Sequence, residues 1–172
     1  MADNQKETRD TQYALSATVG DKKLKAQNYY VAAAYNDGIS GIEAYRVVGQ
    51  VKLADFKLGG LFQNTESQKF SNMEGNSYFV NIAYNLNGVN LKAEYAKDES
   101  GLGKYFSNAG TIGADTTDVN VSSYTVGADY RLSKSTMVFG HYAYYDGDYK
   151  LSGVKVDLKD DNVVTVGLRY DF

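Results

Sequence analysis

Apolar and polar residues alternate along nearly the whole chain. The closing segment "NVVTVGLRYDF" (162 to 172) sets the pattern: Val164, Val166, Leu168, Tyr170 and Phe172 form one row, and Thr165, Gly167, Arg169 and Asp171 the other. A period of two is the side-chain repeat of a β-strand, and helical spacing fits nowhere for long. Nine strands are predicted, at residues 12 to 20, 23 to 37, 43 to 54, 56 to 66, 77 to 87, 89 to 98, 122 to 133, 135 to 148 and 162 to 172. Alternation falters near "QNYY" (27 to 30), where a bulge is expected.

The joints between strands fall into two kinds. "GDKK" (20 to 23), "AD" (54 and 55), "NG" (87 and 88) and "SK" (133 and 134) read as tight hairpin turns. "NDGISG" (36 to 41) and residues 64 to 76, 97 to 120 and 146 to 162 are longer and hydrophilic, and they alternate with the short ones. One rim of the sheet should then carry tight turns and the other long loops, an asymmetry of outer-membrane barrels.

The two rows differ sharply. One reads Tyr45, Val47, Gly49, Val51, Leu53, then Phe56, Leu58, Gly60, Phe62, then Tyr78, Val80, Ile82, Tyr84, Leu86, and continues without a charge through Leu91, Val126, Tyr130 and Tyr142. The opposite row holds Arg46, Gln50, Lys52, Lys57, Asn81, Lys92, Glu94, Asp129, Arg131, His141 and Arg169. Moving each Lys or Arg to mid-bilayer would cost roughly 2 to 4 kcal/mol, so the apolar row is expected to face outward and register slips are disfavoured. Tyrosines gather at the ends of the apolar rows and small or aliphatic residues fill the middles. Two aromatic girdles about an aliphatic band suit a bilayer better than a soluble core, which would place its bulk centrally. The expectation is an all-β, antiparallel up-and-down transmembrane β-barrel, with eight to ten strands in this chain that close by themselves or form part of a sixteen-strand barrel. Residues 22 to 172 would form it, and residues 1 to 21 would be an N-terminal loop remnant plus an extra strand.

Composition sharpens this picture. The chain has 172 residues, one domain by default, and its 16 Tyr beside 7 Phe and no Trp are amphipathic rings suited to an interface. Mean hydropathy is −0.44, and the longest apolar run, "YYVAAAY" (29 to 35), is too short for a membrane helix. A barrel strand escapes that test because half of it faces water. The absence of Pro favours uninterrupted hydrogen-bond ladders. A net charge of −3 argues against nucleic acid as a partner. No secretory signal precedes residue 1, so a mature, re-engineered or cytosolic chain is expected.

Chemistry-bearing residues are sparse. Arg46, Lys52, Lys57, Lys92, Arg131 and Arg169, opposed by Glu94, Asp129 and Asp171, would line an interior and bias ion passage. Individually each is as well read as a solvated interior residue; the cluster carries the meaning. His141, the sole histidine, has no partner at ligand spacing and reads as an interior polar residue. Asp146, Asp148, Asp157, Asp160 and Asp161 could hold cations bridging lipopolysaccharide, but they lack the Gly and terminal Glu of a calcium loop, which favours a solvated loop. No catalytic set, metal site or cofactor is expected.

The closing "VGLRYDF", the hairpins "YFVNIAYNLNGVNLKAEYAKD" and "YTVGADYRLSKSTMVFGHYAYYD", and the entry "RDTQYALSATVG" together resemble the C-terminal part of a Gram-negative general porin, truncated or engineered. The resemblance implies an outer-membrane location, and an assembly machinery that reads the terminal strand at Phe172. Tyr170, Tyr130 and Tyr84 would then be interface anchors. It also implies bilayer and lipopolysaccharide contacts and a homo-oligomer. The chain departs from a family member of about sixteen strands in its length and in lacking the inward-folded third loop with its Pro-Glu-Phe-type motif. Three functions follow as expectations: passive diffusion of ions and small hydrophilic solutes, a small closed non-conducting barrel acting as a structural or surface-receptor protein, or a soluble ligand-binding barrel.

Overall fold

The computed structural model describes residues 12–69, 73–102, 115–158 and 161–171. The alternating segments become strands of one antiparallel sheet: β1 (Tyr13–Gly20), β2 (Tyr29–Ile39), β3 (Ile42–Leu53), β4 (Phe56–Ser67), β5 (Glu74–Leu86), β6 (Val89–Asp98), β7 (Thr116–Arg131), β8 (Thr136–Leu151), β9 (Val154–Asp157) and β10 (Asp161–Tyr170). Strands pair with their sequence neighbours, in the order β1-β2-β3-β4-β5-β6-β7-β8-β10. Short β9 pairs with the far end of β8, so β9 and β10 lie end to end along one side of that strand. Among the described residues no pairing joins β1 to β10, and each has a partner on one side only.

Register keeps the two rows apart across the whole sheet. Cross-strand partners share a face, and Ala33 pairs with Val47, Val47 with Phe62, Gly60 with Val80, Ile82 with Ala93, Ala93 with Val126, and Tyr142 with Val164. This face is bare: Val166 is 83% exposed, Leu15 67% and Val80 57%. Soluble monomers rarely expose contiguous apolar patches above a few hundred Å², whereas this one runs over nine neighbouring strands.

Three connections differ from expectation. "GDKK" is no tight turn: β1 and β2 are joined by residues 21 to 28, and β2 starts only at Tyr29. The Asp21 carboxylate organises this loop by accepting the backbone N–H groups of Lys23 (2.8 Å), Lys25 (2.7 Å) and Ala26 (2.7 Å). Here the faltering alternation marks a loop, not a bulge. Conversely, two of the expected long loops are tight. Ser40–Gly41 (φ 58° and 70°) and Ser152–Gly153 (φ 50° and 79°) are two-residue turns with both residues in the left-handed region, the geometry that matches strand twist. β9 therefore lies inside the expected 146 to 162 loop, because Leu151 and Val154 pair across the turn. The strict alternation of short and long connections does not hold. β7 also starts earlier than expected, at Thr116.

The connections still define two rims. The turn rim carries residues 21 to 28, 54 to 55, 87 to 88 and 132 to 135, with the end of β10; the loop rim carries 40 to 41, 152 to 153 and the β4–β5 and β6–β7 connections.

Candidate functional site: the polar face and its aromatic borders

The polar row lies on the face opposite the bare apolar one and bounds a trough of about 890 Å³, whose lining includes Gln50, Lys57, Asn81, Lys92, Glu94, Thr125, His141 and Thr165. The ladder aligns these residues by level. One line of partners runs Lys52, Lys57, Ala83, Lys92, Gly127, His141, Thr165. Beside it, toward the loop rim, runs Gln50, Gly59, Asn81, Glu94, Thr125, Ala143. Three lysines from three strands thus lie on one line of partners, Lys52 and Lys57 across the 54–55 turn and Lys92 two strands further on.

Their surroundings differ. Lys92 forms an ion pair with Asp129, whose side chain is only 6% exposed against 47% for the lysine. Asp129 also accepts a hydrogen bond from Asn90 Nδ2 at 2.7 Å. Lys52 and Lys57 are directly opposite each other and exposed. Like charges so placed repel. Arg46 sits nearer the loop rim, where its Nε donates to Gln63 Oε1 at 2.6 Å. Arg131 and Arg169 lie at the turn rim: Arg131 donates to the Lys134 carbonyl at 2.9 Å, and Arg169 Nε reaches Asp171 Oδ1 at 2.7 Å. Of the eight charged residues singled out from sequence, Lys92, Glu94 and Asp129 lie close together on β6 and β7, Lys52 and Lys57 face each other one residue from the 54–55 turn, and Arg46, Arg131 and Arg169 stand apart.

Sequence reasoning placed Gly167 in the polar row but gave the glycines of that row no role. A Cβ on Gly127 would lie 2.2 Å from His141 Cδ2, one on Gly167 2.3 Å from Phe139 Cζ, and one on Gly59 2.8 Å from Asn81 Oδ1. Each glycine is the direct cross-strand partner of the side chain it accommodates. The larger side chain lies flat over the glycine, which keeps its bulk against the wall and out of the trough. Glycines in the polar row at positions with no turn were the available signal.

The apolar face carries its aromatics at both ends. Toward the loop rim, ring contacts link Tyr13 to Tyr35 (5.8 Å), Tyr35 to Tyr45 (4.7 Å), Tyr78 to Tyr95 (6.3 Å), Tyr95 to Tyr124 (5.1 Å) and Tyr124 to Tyr144 (6.4 Å). Toward the turn rim lie Tyr130, Tyr170 and Tyr84, the last stacked on Phe56 at 4.5 Å. Phe172 lies outside the described residues. From Tyr78 to Tyr84, or Tyr124 to Tyr130, is six residues, about 20 Å along a strand, close to the roughly 25 Å apolar band of outer-membrane barrels.

Of the acidic residues at 146 to 161, Asp160 lies outside the described residues. Asp148 pairs with Lys155 at 3.1 Å, and Asp146 accepts the N–H of Gly147. Among the described residues no three His, Asp or Glu side chains stand close enough to hold a metal ion.

Comparison with known proteins bears on this arrangement. No curated protein sequence matches the chain. Among solved structures the chain is similar to a porin, titled "Structure of porin refined at 1.8 angstroms resolution", at 16% identity and a TM-score of 0.45, covering all of this chain and 65% of that one. The chain thus spans less than two thirds of that porin's length. The family model described as Gram-negative porin matches residues 1–150. With most of its length matched by that model, the chain belongs to the Gram-negative porin family.

Proposed function

We propose that the chain forms wall of an outer-membrane diffusion channel for ions and small hydrophilic solutes, with a preference for anions. The carrying observation is the register-locked segregation of the two faces. A charged row borders a trough on one side, and a bare aliphatic band between aromatic girdles covers the other. In this reading hydrocarbon meets the apolar row and water fills the trough. Tyr84, Tyr130 and Tyr170 sit at the periplasmic interface, where the chain end carrying Phe172 is offered to the barrel-assembly machinery. Lipopolysaccharide surrounds the loop rim, and copies of the chain associate side by side.

Selectivity in this channel comes from Lys52, Lys57 and Lys92, with Glu94 and Asp129 offsetting part of their field and Arg46, Arg131 and Arg169 extending it toward the two mouths. Planar-bilayer recording tests the reading. The inserted protein should carry ohmic current favouring anions, and the double variant Lys52→Glu/Lys57→Glu should shift the permeability ratio toward cations. Unchanged selectivity in that variant would count against it.

A second reading draws on one observation. Val121, Tyr145, Tyr149 and Leu158 form a buried cluster toward the loop rim, and Val121 and Tyr145 also line the trough. A barrel filled in this way would be a structural or surface-receptor protein. It would carry no current even when both sheet edges are bridged.

A further inference from the structure

The trough face is not polar at every height. One level nearer the loop rim than Gln50, Gly59, Asn81 and Glu94, the line of partners reads Val48, Leu61, Phe79, Ala96, Ser123, Tyr145. Only Ser123 in that line lacks an apolar body. An apolar band inside an otherwise polar cavity is a feature of ligand sites, where apolar walls hold the body of a molecule and a few polar groups orient it.

The band has a shape. Phe79 on β5 and Tyr145 on β8 are three strand spacings apart, about 14 Å between backbones. The two positions between them are Ala96 and Ser123, with small side chains. All four line the trough, so they form a slot with two aromatic walls and a shallow floor. Tyr145 is a fixed wall, only 8% exposed and packed with Val121, Tyr149 and Leu158. A wall already in place adds little ordering cost when a ligand enters.

Strand β6 sets the charge at the slot. Asp98, Ala96, Glu94 and Lys92 follow at two-residue steps, about 7 Å each, and all line the trough. At the loop-rim end Asp98 is engaged: its Oδ1 accepts Ser77 Oγ at 2.9 Å, the Ser100 N–H at 3.0 Å and Ser100 Oγ at 2.8 Å. At the other end Lys92 is held by Asp129. Glu94 lies between them, opposite Thr125, with neither ion pair nor hydrogen bond among the described residues. The uncommitted charge bordering the aromatic slot is therefore a carboxylate.

We infer that this slot binds an organic ammonium ion bearing an aromatic ring, with the ring over Ala96 and Ser123 between Phe79 and Tyr145 and the ammonium on the Glu94 carboxylate. The ring gains contact with two aromatic neighbours, and the ammonium gains a charge-assisted hydrogen bond. An aromatic anion would face the repulsion of Glu94, and a ringless ammonium would leave the slot unfilled. The inference rests on the reading of the trough as water-filled, given under Proposed function.

Isothermal titration calorimetry on the full chain folded in nonionic detergent micelles tests it, with 2-phenylethylammonium as the probe and ethylammonium and 3-phenylpropanoate as comparisons. The probe is expected to bind saturably, and both comparison compounds about tenfold or more weakly. Glu94→Gln, which keeps the shape of the side chain, should weaken the probe by about tenfold or more, and Ser123→Leu, which fills the floor, should abolish binding. Heat-shifted electrophoretic mobility reports folding of each variant, and Glu94→Gln carries the test alone if Ser123→Leu does not fold. Absence of saturable binding, 3-phenylpropanoate binding as tightly as the probe, or unchanged affinity in Glu94→Gln would overturn the inference. Planar-bilayer recording separates the two claims. A chain that binds the probe but carries no current defeats the diffusion-channel reading and leaves the slot, whereas a conducting chain without saturable binding defeats the slot alone.

Discussion

At Gly127 the chain gives up a side chain so that a neighbour can lie flat. A Cβ there would meet His141 Cδ2 at 2.2 Å and the Gly140 carbonyl oxygen at 2.9 Å, so in Gly127→Ala the imidazole must swing off the wall and the backbone must shift. Overpacking of this kind costs about 1 to 3 kcal/mol, readable as a lower urea midpoint for the membrane-inserted protein. Gly167→Ala should act similarly through the Phe139 ring, and both variants should lower channel conductance. Asp21 gives a pH-dependent test at the same scale. The N–H groups of Ala26, Lys23 and Lys25 hold its carboxyl below the usual carboxylate range. A lowered folded value means that the loop's stabilisation is complete above the unfolded carboxyl value of about 3.9 and is lost as pH falls through the folded one. Exchange of the Lys23, Lys25 and Ala26 amides should therefore be slow near neutrality and accelerate under strong acid. Asp21→Asn, which lacks the charge, should exchange faster at neutral pH with little dependence on acid.

At the scale of the strand, which row a residue belongs to decides what a substitution does. Val80→Arg puts a cation on the bare row and is expected to destabilise the inserted protein by about 2 to 4 kcal/mol. Gln50→Arg, on the trough side, should change stability by less than about 0.5 kcal/mol. Equal effects in urea titrations of the two variants would mean that the faces are misassigned. Alternation made these rows legible in the sequence, because Val80, Ile82 and Tyr84 can share a face only in a strand. The connections were harder to read. "ISGI" and "LSGV" sit within hydrophilic stretches, and only the pairing of Ile39 with Ile42 and of Leu151 with Val154 reveals them as two-residue turns. The Asp21 loop was hidden for the opposite reason: its side-chain-to-backbone bonds are local, whereas "GDKK" looks like an ordinary turn.

For the whole molecule, the sequence conveyed a porin-like sheet and the charged residues of one row. It could not convey which of those charges share a height. That depends on the register of each successive pair of strands, and register brings Lys52, Lys57 and Lys92 into one line while Arg131 and Arg169 fall at the ends of β7 and β10. The central claim is that hydrocarbon meets the row of Val80, Ile82, Val126 and Val166, and water the row of Asn81, Lys92, Thr125 and Thr165. The most direct test places single cysteines at these eight positions in vesicle-reconstituted protein and compares reaction with a charged maleimide against quenching of an attached fluorophore by lipid-borne nitroxides. The account predicts strict alternation, with the first four positions quenched and unreactive and the second four reactive and unquenched. Uniform reactivity at all eight, or quenching of the second set in place of the first, would contradict it.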